Sequence, residues 1–398
     1  MAKPWDNKQE HREPDPMGPE DLPHQEPGHA DPPPPQPRQP ARGVALNPGN
    51  RFEKLDMPPD PEWLESERLS GEQGWTRRTE CFVDASRSVL SRNDSPDLGF
   101  NWSVNPYRGC EHGCSYCYAR PSHEFLGLSA GLDFESRIMV KPDAPALLEA
   151  RLRSPRWRPE PILLSGNTDC YQPVERRLKI TRGCLEVCLK LRHPLDLITK
   201  NALILRDLDL LEALAARNLV RVTISVTSLD AALAAAMEPR ASTPARRLDA
   251  IAALSAAGVP VGVNSAPIIP GLNDHEMPAI LAAAADHGAT WAGYIMLRLP
   301  HGVKDLFSHW LETHFPDRKA RVLDAIRSVR GGALSDARFG HRIRGEGKRA
   351  EAVRDLFHLT CRRHGLEGAP PPSDARQFDP GRIKDSPQQD LFPSTEQS

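Results

Sequence analysis

The stretch NPYRGCEHGCSYCYAR, residues 105–120, decides how this chain is read. Cys110, Cys114 and Cys117 stand in a C-x3-C-x2-C spacing and account for three of the eight cysteines in the chain. Intervals this short let one loop wrap three thiolates around a compact inorganic centre, and Gly109 and Gly113 supply the backbone freedom for its turns. The next cysteine, Cys170, is far away in sequence, so a four-iron cubane held here would keep one iron without a cysteine. An open coordination position is where metal centres do chemistry. The same residues also allow a Cys3His zinc site completed by His112 or His123.

The 398 residues suffice for one large or two ordinary domains with a substantial core. A formal charge of −2 and 26% charged residues give no overall excess directed at nucleic acid or membrane. The opening residues MAKPWDNKQE lack the apolar core of a secretory signal, and no run of about 18 apolar residues occurs. A cytoplasmic location is expected. In that reducing compartment, clustered cysteines read as metal ligands or catalytic groups rather than disulfides.

Residues 1–75 are dense in Pro, Asp, Glu, Gln and His, with a proline run at 32–35, and read as a disordered tail; 367–398 reads the same way. Between them, short apolar runs alternate with Leu/Ala-rich stretches at helical spacing. The expected strands are 102–106, 161–166, 195–200, 220–228, 259–269 and 290–299. Helices are expected near 143–153, 174–191, 204–217, 243–257 and 275–287, with two more within 302–329. Thr243 followed by Pro244 reads as a cap and first turn, and Gly258 as the stop. This βα series predicts an α/β fold, a partial (β/α)6 barrel of TIM type with right-handed crossovers. Polar residues gather where the strands stop, from Asn105 through Thr168, Asp169, Lys200, Ser225, Thr227 and Asn264 to Arg298. In barrels that face carries the active site, and the cysteine stretch follows the first strand to the same place.

With an aromatic residue, Tyr116, before its last cysteine, the C-x3-C-x2-C element resembles the signature of the radical SAM superfamily. The wording NPYRGC, GCSYCYAR, GNTDCYQPVE, ITKN, SVTSLD, MEPR and IIPGLND resembles its spore photoproduct lyase-like branch, often labelled DNA repair photolyase, over about 100–365. The resemblance implies a radical SAM core over 80–330, with a basic loop and C-terminal helix over 331–366 packed on it. It implies a 4Fe-4S cluster on Cys110, Cys114 and Cys117, whose remaining iron takes S-adenosylmethionine. Reductive cleavage would then give a 5'-deoxyadenosyl radical that abstracts hydrogen from a substrate. Lys200 and Ser225 would face the cofactor carboxylate. Thr168 and Asp169 stand where the superfamily commonly has a Gly-Gly-Glu-like motif for the ammonium group. Tyr116 would present its backbone to the adenine, and Ile269, Gly271 and Asp274 match the adenine-side element. Tyr118 is a candidate pocket wall or hydrogen relay, and Cys170 a candidate hydrogen donor. A flavodoxin- or ferredoxin-type electron donor is the family expectation.

Three features lie outside that scheme. Cys184 and Cys188, four apart in TRGCLEVCLKL, have no further soft ligand nearby and read as core. Glu238 and Arg240 in MEPR read as a charge pair or a turn decoration. Residues 338–349, RFGHRIRGEGKR, are basic and glycine-rich, so they read as a solvated face or as a phosphate-contacting loop for a nucleic-acid substrate. A non-catalytic zinc or iron-sulfur module that binds nucleic acid is the competing function.

Overall fold

The expected apolar runs become strands because their alternate residues find helices to pack on. The computed structural model describes residues 43–52 and 79–381; the rest of the expected tails, 1–42, 53–78 and 382–398, lies outside the described residues. The strands in chain order are β1 (Glu80–Val83), β2 (Leu90–Arg92), β3 (Trp102–Val104), β4 (Tyr107–Arg108), β5 (Arg137–Val140), β6 (Ile162–Leu164), β7 (Leu195–Thr199), β8 (Val220–Ser225), β9 (Val261–Ile268) and β10 (Ala292–Met296). The main sheet has the order β10-β9-β8-β7-β6-β3-β2, and every pairing from β3 to β10 is parallel. Its six parallel strands are the six expected ones, and together they form the partial barrel. β2 closes one edge antiparallel to β3. β1, β5 and β4 make a separate small sheet that sequence periodicity did not reveal.

Helices Ala144–Leu152, Ile180–Lys190, Leu208–Ala215, Pro244–Ala256 and Met277–Asp286 cross between the parallel strands. Thr243 caps the fourth, its hydroxyl accepting from the Arg246 amide at 3.5 Å, and Gly258 ends it at φ +70°. Leu195 and Leu197, Val220 and Val222, and Val261 and Val263 pack with Leu185, Leu211, Leu214, Ile251 and Leu254 in one core. Full burial of each such side chain contributes about 1.5–3 kcal/mol. Cys184 and Cys188 belong to this core, as expected. The opposite strand face, with Asp196, Ile198, Arg221 and Thr223, lines a cavity of about 250 Å³ together with Leu163 and Trp291. Gly262 makes room for that indole, since a Cβ there would lie 2.2 Å from the ring.

Residues 369–381, within the stretch expected as a tail, run beneath the strands. The Asp374 amide donates to Asn218 O at 2.9 Å, Gln377 Nε2 to Arg217 O at 2.7 Å, and the Asp379 amide to Leu191 O at 2.9 Å. Phe378 meets the His193 ring edge-on at 5.2 Å. His193 is fully buried and accepts from Trp157 Nε1 at 3.0 Å, and burial holds its pKa down to about 4. The unfolded chain takes up this proton near the ordinary 6.5, whereas the folded chain resists it until about 4. Stability is therefore lost as pH falls through that window, by up to about 3 kcal/mol. Urea unfolding at pH 7 and 4.5 should show a smaller loss in His193→Gln than in the parent; equal losses would remove His193 from the account.

Candidate active site

The cysteine loop leaves β4 and returns at β5, whose antiparallel pairing, Tyr107 with Val140 and Arg108 with Met139, closes the excursion at its base. Its turns need glycine at two points, Gly109 at φ +83° and Gly113 at φ +68°. Three buried side chains fasten the loop, Arg120 from within it and Gln172 and Glu238 from elsewhere. Gln172 accepts from the Glu111 amide at 2.9 Å and donates to Gly109 O at 3.1 Å, bracketing Cys110. Arg120, fully buried, donates to Cys114 O at 3.0 Å, Gly131 O at 2.9 Å and Gly113 O at 3.2 Å, and pairs with the buried Glu135. Glu238 accepts from the Tyr116 hydroxyl and from Thr227 Oγ1, the latter at 2.7 Å, and is paired with the buried Arg247. Arg247 in turn donates to Ser225 O at 3.1 Å. Burial alone would raise the Glu238 carboxyl, but Arg247 and Lys200 hold it below the usual range.

Cys110 and Cys114 are buried and Cys117 partly so. Burial pushes the Cys110 thiol well up, with the charges of Asp169, Cys114 and Cys117 adding to it; burial and Glu238 push Cys114 up. Cys117 packs against the small cluster that holds Cys110 and against the core cluster that holds Cys114. Among the described residues, no three His, Cys, Asp or Glu side chains converge as ligands of a single ion. Nδ1 of His112 lies 3.4 Å from Asp169, and Nε2 is 3.1 Å from the Asn201 amide. His123 meets Arg137 O at 2.8 Å.

Residues 43–52, also from the stretch expected as a tail, lie along the outside of this loop. The Gly43 amide donates to Glu135 Oε2 at 3.0 Å, so the carboxylate that pairs with Arg120 also holds this strap. Farther along, Ser129 Oγ donates to Pro48 O at 2.7 Å, and Arg51 pairs with Glu124 at 2.8 Å. A Cβ on Gly43 would fall 1.3 Å from Gly113 O, so no side chain fits. Gly43→Val is expected to lift the strap and forfeit a hydrogen bond to a charged acceptor, worth about 1.5–3 kcal/mol. Iron content after anaerobic reconstitution should be retained, while bleaching of the visible absorbance in air becomes several-fold faster. Unchanged bleaching would show that the strap does not shield the loop.

The other expected site residues fall into two groups. At the strand ends near the loop, Thr168 Oγ1 donates to Tyr107 O at 2.9 Å. Asp169 accepts from Thr199 Oγ1 at 2.7 Å and the Lys200 amide at 2.8 Å. Burial works to lower the Lys200 ammonium, but Cys114 and Glu238 outweigh it and raise its pKa. Ser225 is buried, as are Tyr116 and Ile269, which share a second core cluster with Cys114. Tyr118 is 44% exposed and donates to Gly166 O. The turn carrying that carbonyl begins at Ser165, whose φ of +101° costs a non-glycine residue about 1–3 kcal/mol. Away from these, Cys170 is fully buried in the main core. Gly271 packs towards Val322 and Ala325 of helix Pro316–Ser328, and Asp274 lies 3.6 Å from Arg349.

MEPR does not form a pair within itself. Glu238 pairs with Arg247, while Arg240 reaches Glu111 at 2.9 Å. Carboxylates likewise neutralise much of 338–349. Arg338 pairs with Asp336 and Glu346, His341 with Glu346, Arg342 with Asp97 and Arg349 with Asp274.

Comparisons with known proteins agree with this architecture. The sequence profile of the radical SAM superfamily matches residues 104–284. An uncharacterized protein of Mycobacterium tuberculosis is 36% identical over 232 residues, 58% of this chain and 68% of the relative. An uncharacterized protein of Methanocaldococcus jannaschii is 27% identical over 219 residues, 55% of this chain and 78% of that protein. Among solved structures, a cysteine-to-serine variant of spore photoproduct lyase superposes with a TM-score of 0.54 at 16% identity, covering 79% of this chain and 86% of that one. The same lyase complexed with dinucleoside spore photoproduct gives 0.53 at 17%, covering 71% and 79%. The chain belongs to the radical SAM superfamily. It is an enzyme whose general chemistry is cleavage of S-adenosylmethionine to a radical, and membership implies use of a 4Fe-4S cluster with that cofactor. Among the described residues, no helix is long and apolar enough to cross a membrane.

Proposed function

We propose that Cys110, Cys114 and Cys117 hold the 4Fe-4S cluster and that the enzyme abstracts hydrogen from a substrate reaching the strand-end face beside Tyr118. The observation that carries this reading is three thiols on one fastened loop, Cys117 packed against the clusters that hold Cys110 and Cys114, with the Lys200 ammonium in the field of Cys114. The donor set fits the group. Buried thiols that resist ionisation alone ionise beside a cationic centre, and ligation releases their protons. Ser115 Oγ, between Cys114 and Tyr116, is buried without a hydrogen-bond partner among the described residues, a state costing about 1–3 kcal/mol that a bound group would relieve.

When bound and reduced, the cluster supplies the electron that cleaves S-adenosylmethionine to methionine and a 5'-deoxyadenosyl radical. Lys200, with Ser225 beside it at the strand ends, offers the charge for the cofactor carboxylate. Thr168 and Asp169 shape the ammonium side; the Asp169 carboxylate also orders the end of β7 through Thr199 and the Lys200 amide. The Tyr116 hydroxyl, tied to Glu238, holds the adenine-side backbone of the loop in place. Ile269 belongs to that side as an apolar wall, whereas Gly271 and Asp274 act on it through the C-terminal helices they contact. Tyr118 is the exposed ring next to the third cysteine and the candidate relay. Cys170 would need to leave the core to donate hydrogen, so this reading gives it no step.

A flavodoxin- or ferredoxin-type protein supplies the electron. Nucleic acid is the first substrate class to try, because a fold neighbour binds a dinucleoside photoproduct; the paired charges of 338–349 do not add to that choice. Anaerobically reconstituted protein given dithionite and S-adenosylmethionine should form 5'-deoxyadenosine. Reconstituted, reduced protein that forms none would overturn the proposal.

A further inference from the structure

Four arginines near the C-terminal end of β10 differ in one respect. Arg330, buried, donates to Leu297 O at 2.6 Å, Met296 O at 3.0 Å and His341 O at 2.6 Å. Arg338 is paired with Asp336 and Glu346, and Arg342 with Asp97. Arg298, two residues beyond β10 and partly buried, has no hydrogen bond or ion pair among the described residues. Its one ring contact is Tyr118, whose centroid lies 5.2 Å from the guanidinium carbon.

The charges around Arg298 do not neutralise it. Burial of its guanidinium disfavours its charge, and Arg342 nearby adds to that. Asp97, the acidic group in range, is already committed to Arg342 and to the Gly340 amide at 3.0 Å. Tyr118 also lies in the field of Lys200. A planar guanidinium that is partly buried, held over a ring and lacking a carboxylate has donor N–H groups left to bind an oxyanion through two parallel hydrogen bonds.

We infer that Arg298 binds an oxyanion, phosphate or carboxylate, carried by the substrate, and so places the substrate against Tyr118 beside the cysteine loop. This deepens the reading of the strand-end face as the site of reaction and rests on it for the word substrate. The binding itself is testable without turnover, so a failed 5'-deoxyadenosine assay and a failed anion site are separate results.

The test is modification of the full-length, anaerobically reconstituted protein by phenylglyoxal, with each arginine followed by peptide mass mapping. Arg298 should react faster than Arg330 and Arg342, and millimolar inorganic phosphate or acetate should slow it several-fold. Protection by phosphate and not acetate would assign a phosphoester, and the reverse a carboxylate. No protection by either anion would overturn the proposal. So would equal slowing of Arg338, which marks a general salt effect, or protection by S-adenosylmethionine alone, which would give Arg298 to the cofactor.

Discussion

Replacing Cys110, Cys114 and Cys117 together by alanine is expected to abolish iron-sulfur absorbance and 5'-deoxyadenosine formation. The three thiols sit in each other's field on one loop, and the backbone that carries them is held by Gln172 and Arg120 rather than by the sulfurs themselves. The variant should therefore fold while losing the whole of its iron. Cys184→Ala with Cys188→Ala is the matched control. Both lie in the main core, so that change should cost stability and spare the iron. Iron retained at the parent level in the triple variant would dismiss the cluster assignment.

Arg120→Met should be the most destabilising single change at this site. The guanidinium is fully buried, serves the carbonyls of Gly113, Cys114, Ala130 and Gly131, and pairs with a Glu135 that is equally buried. Removing one partner of such a pair leaves a buried charge and costs about 3–5 kcal/mol. Urea unfolding of anaerobic protein measures it. Adding Glu135→Gln should recover part of the loss by removing the stranded charge. A single-variant loss below about 1 kcal/mol is what an exposed pair would give and would contradict the burial described.

The six parallel strands were legible because each is a local apolar run, and the helix at Pro244 because its cap, first turn and stop are neighbours in sequence. The small sheet was not: Tyr107 pairs with Val140 and Glu80 with Arg137, partners that no periodicity within β4 or β1 can announce. Residues 43–52 and 369–381 were missed for a related reason. Largely polar and backbone contacts, such as the Gly43 amide on Glu135 and the Asp379 amide on Leu191, hold them in place, and composition reads polar, proline-rich chain as tail. The basic run at 338–349 looked available because Asp97 and Asp274 are remote in sequence. The pairs in which Glu238 and Arg240 take part were hidden in the same way.

By itself the sequence determined the order of the barrel and set three closely spaced cysteines after its first strand. Both are written at short range, in the spacing of three thiols and the alternation of apolar runs. Only the tertiary structure decided which groups surround those cysteines and the strand ends beside them. The clamp of Arg120, Glu135 and Gln172, the burial of Cys170, the strap through Gly43 and the unpaired Arg298 depend on residues brought together across the fold. Burial and neutralisation are set by what lies around a side chain, and sequence adjacency does not record it.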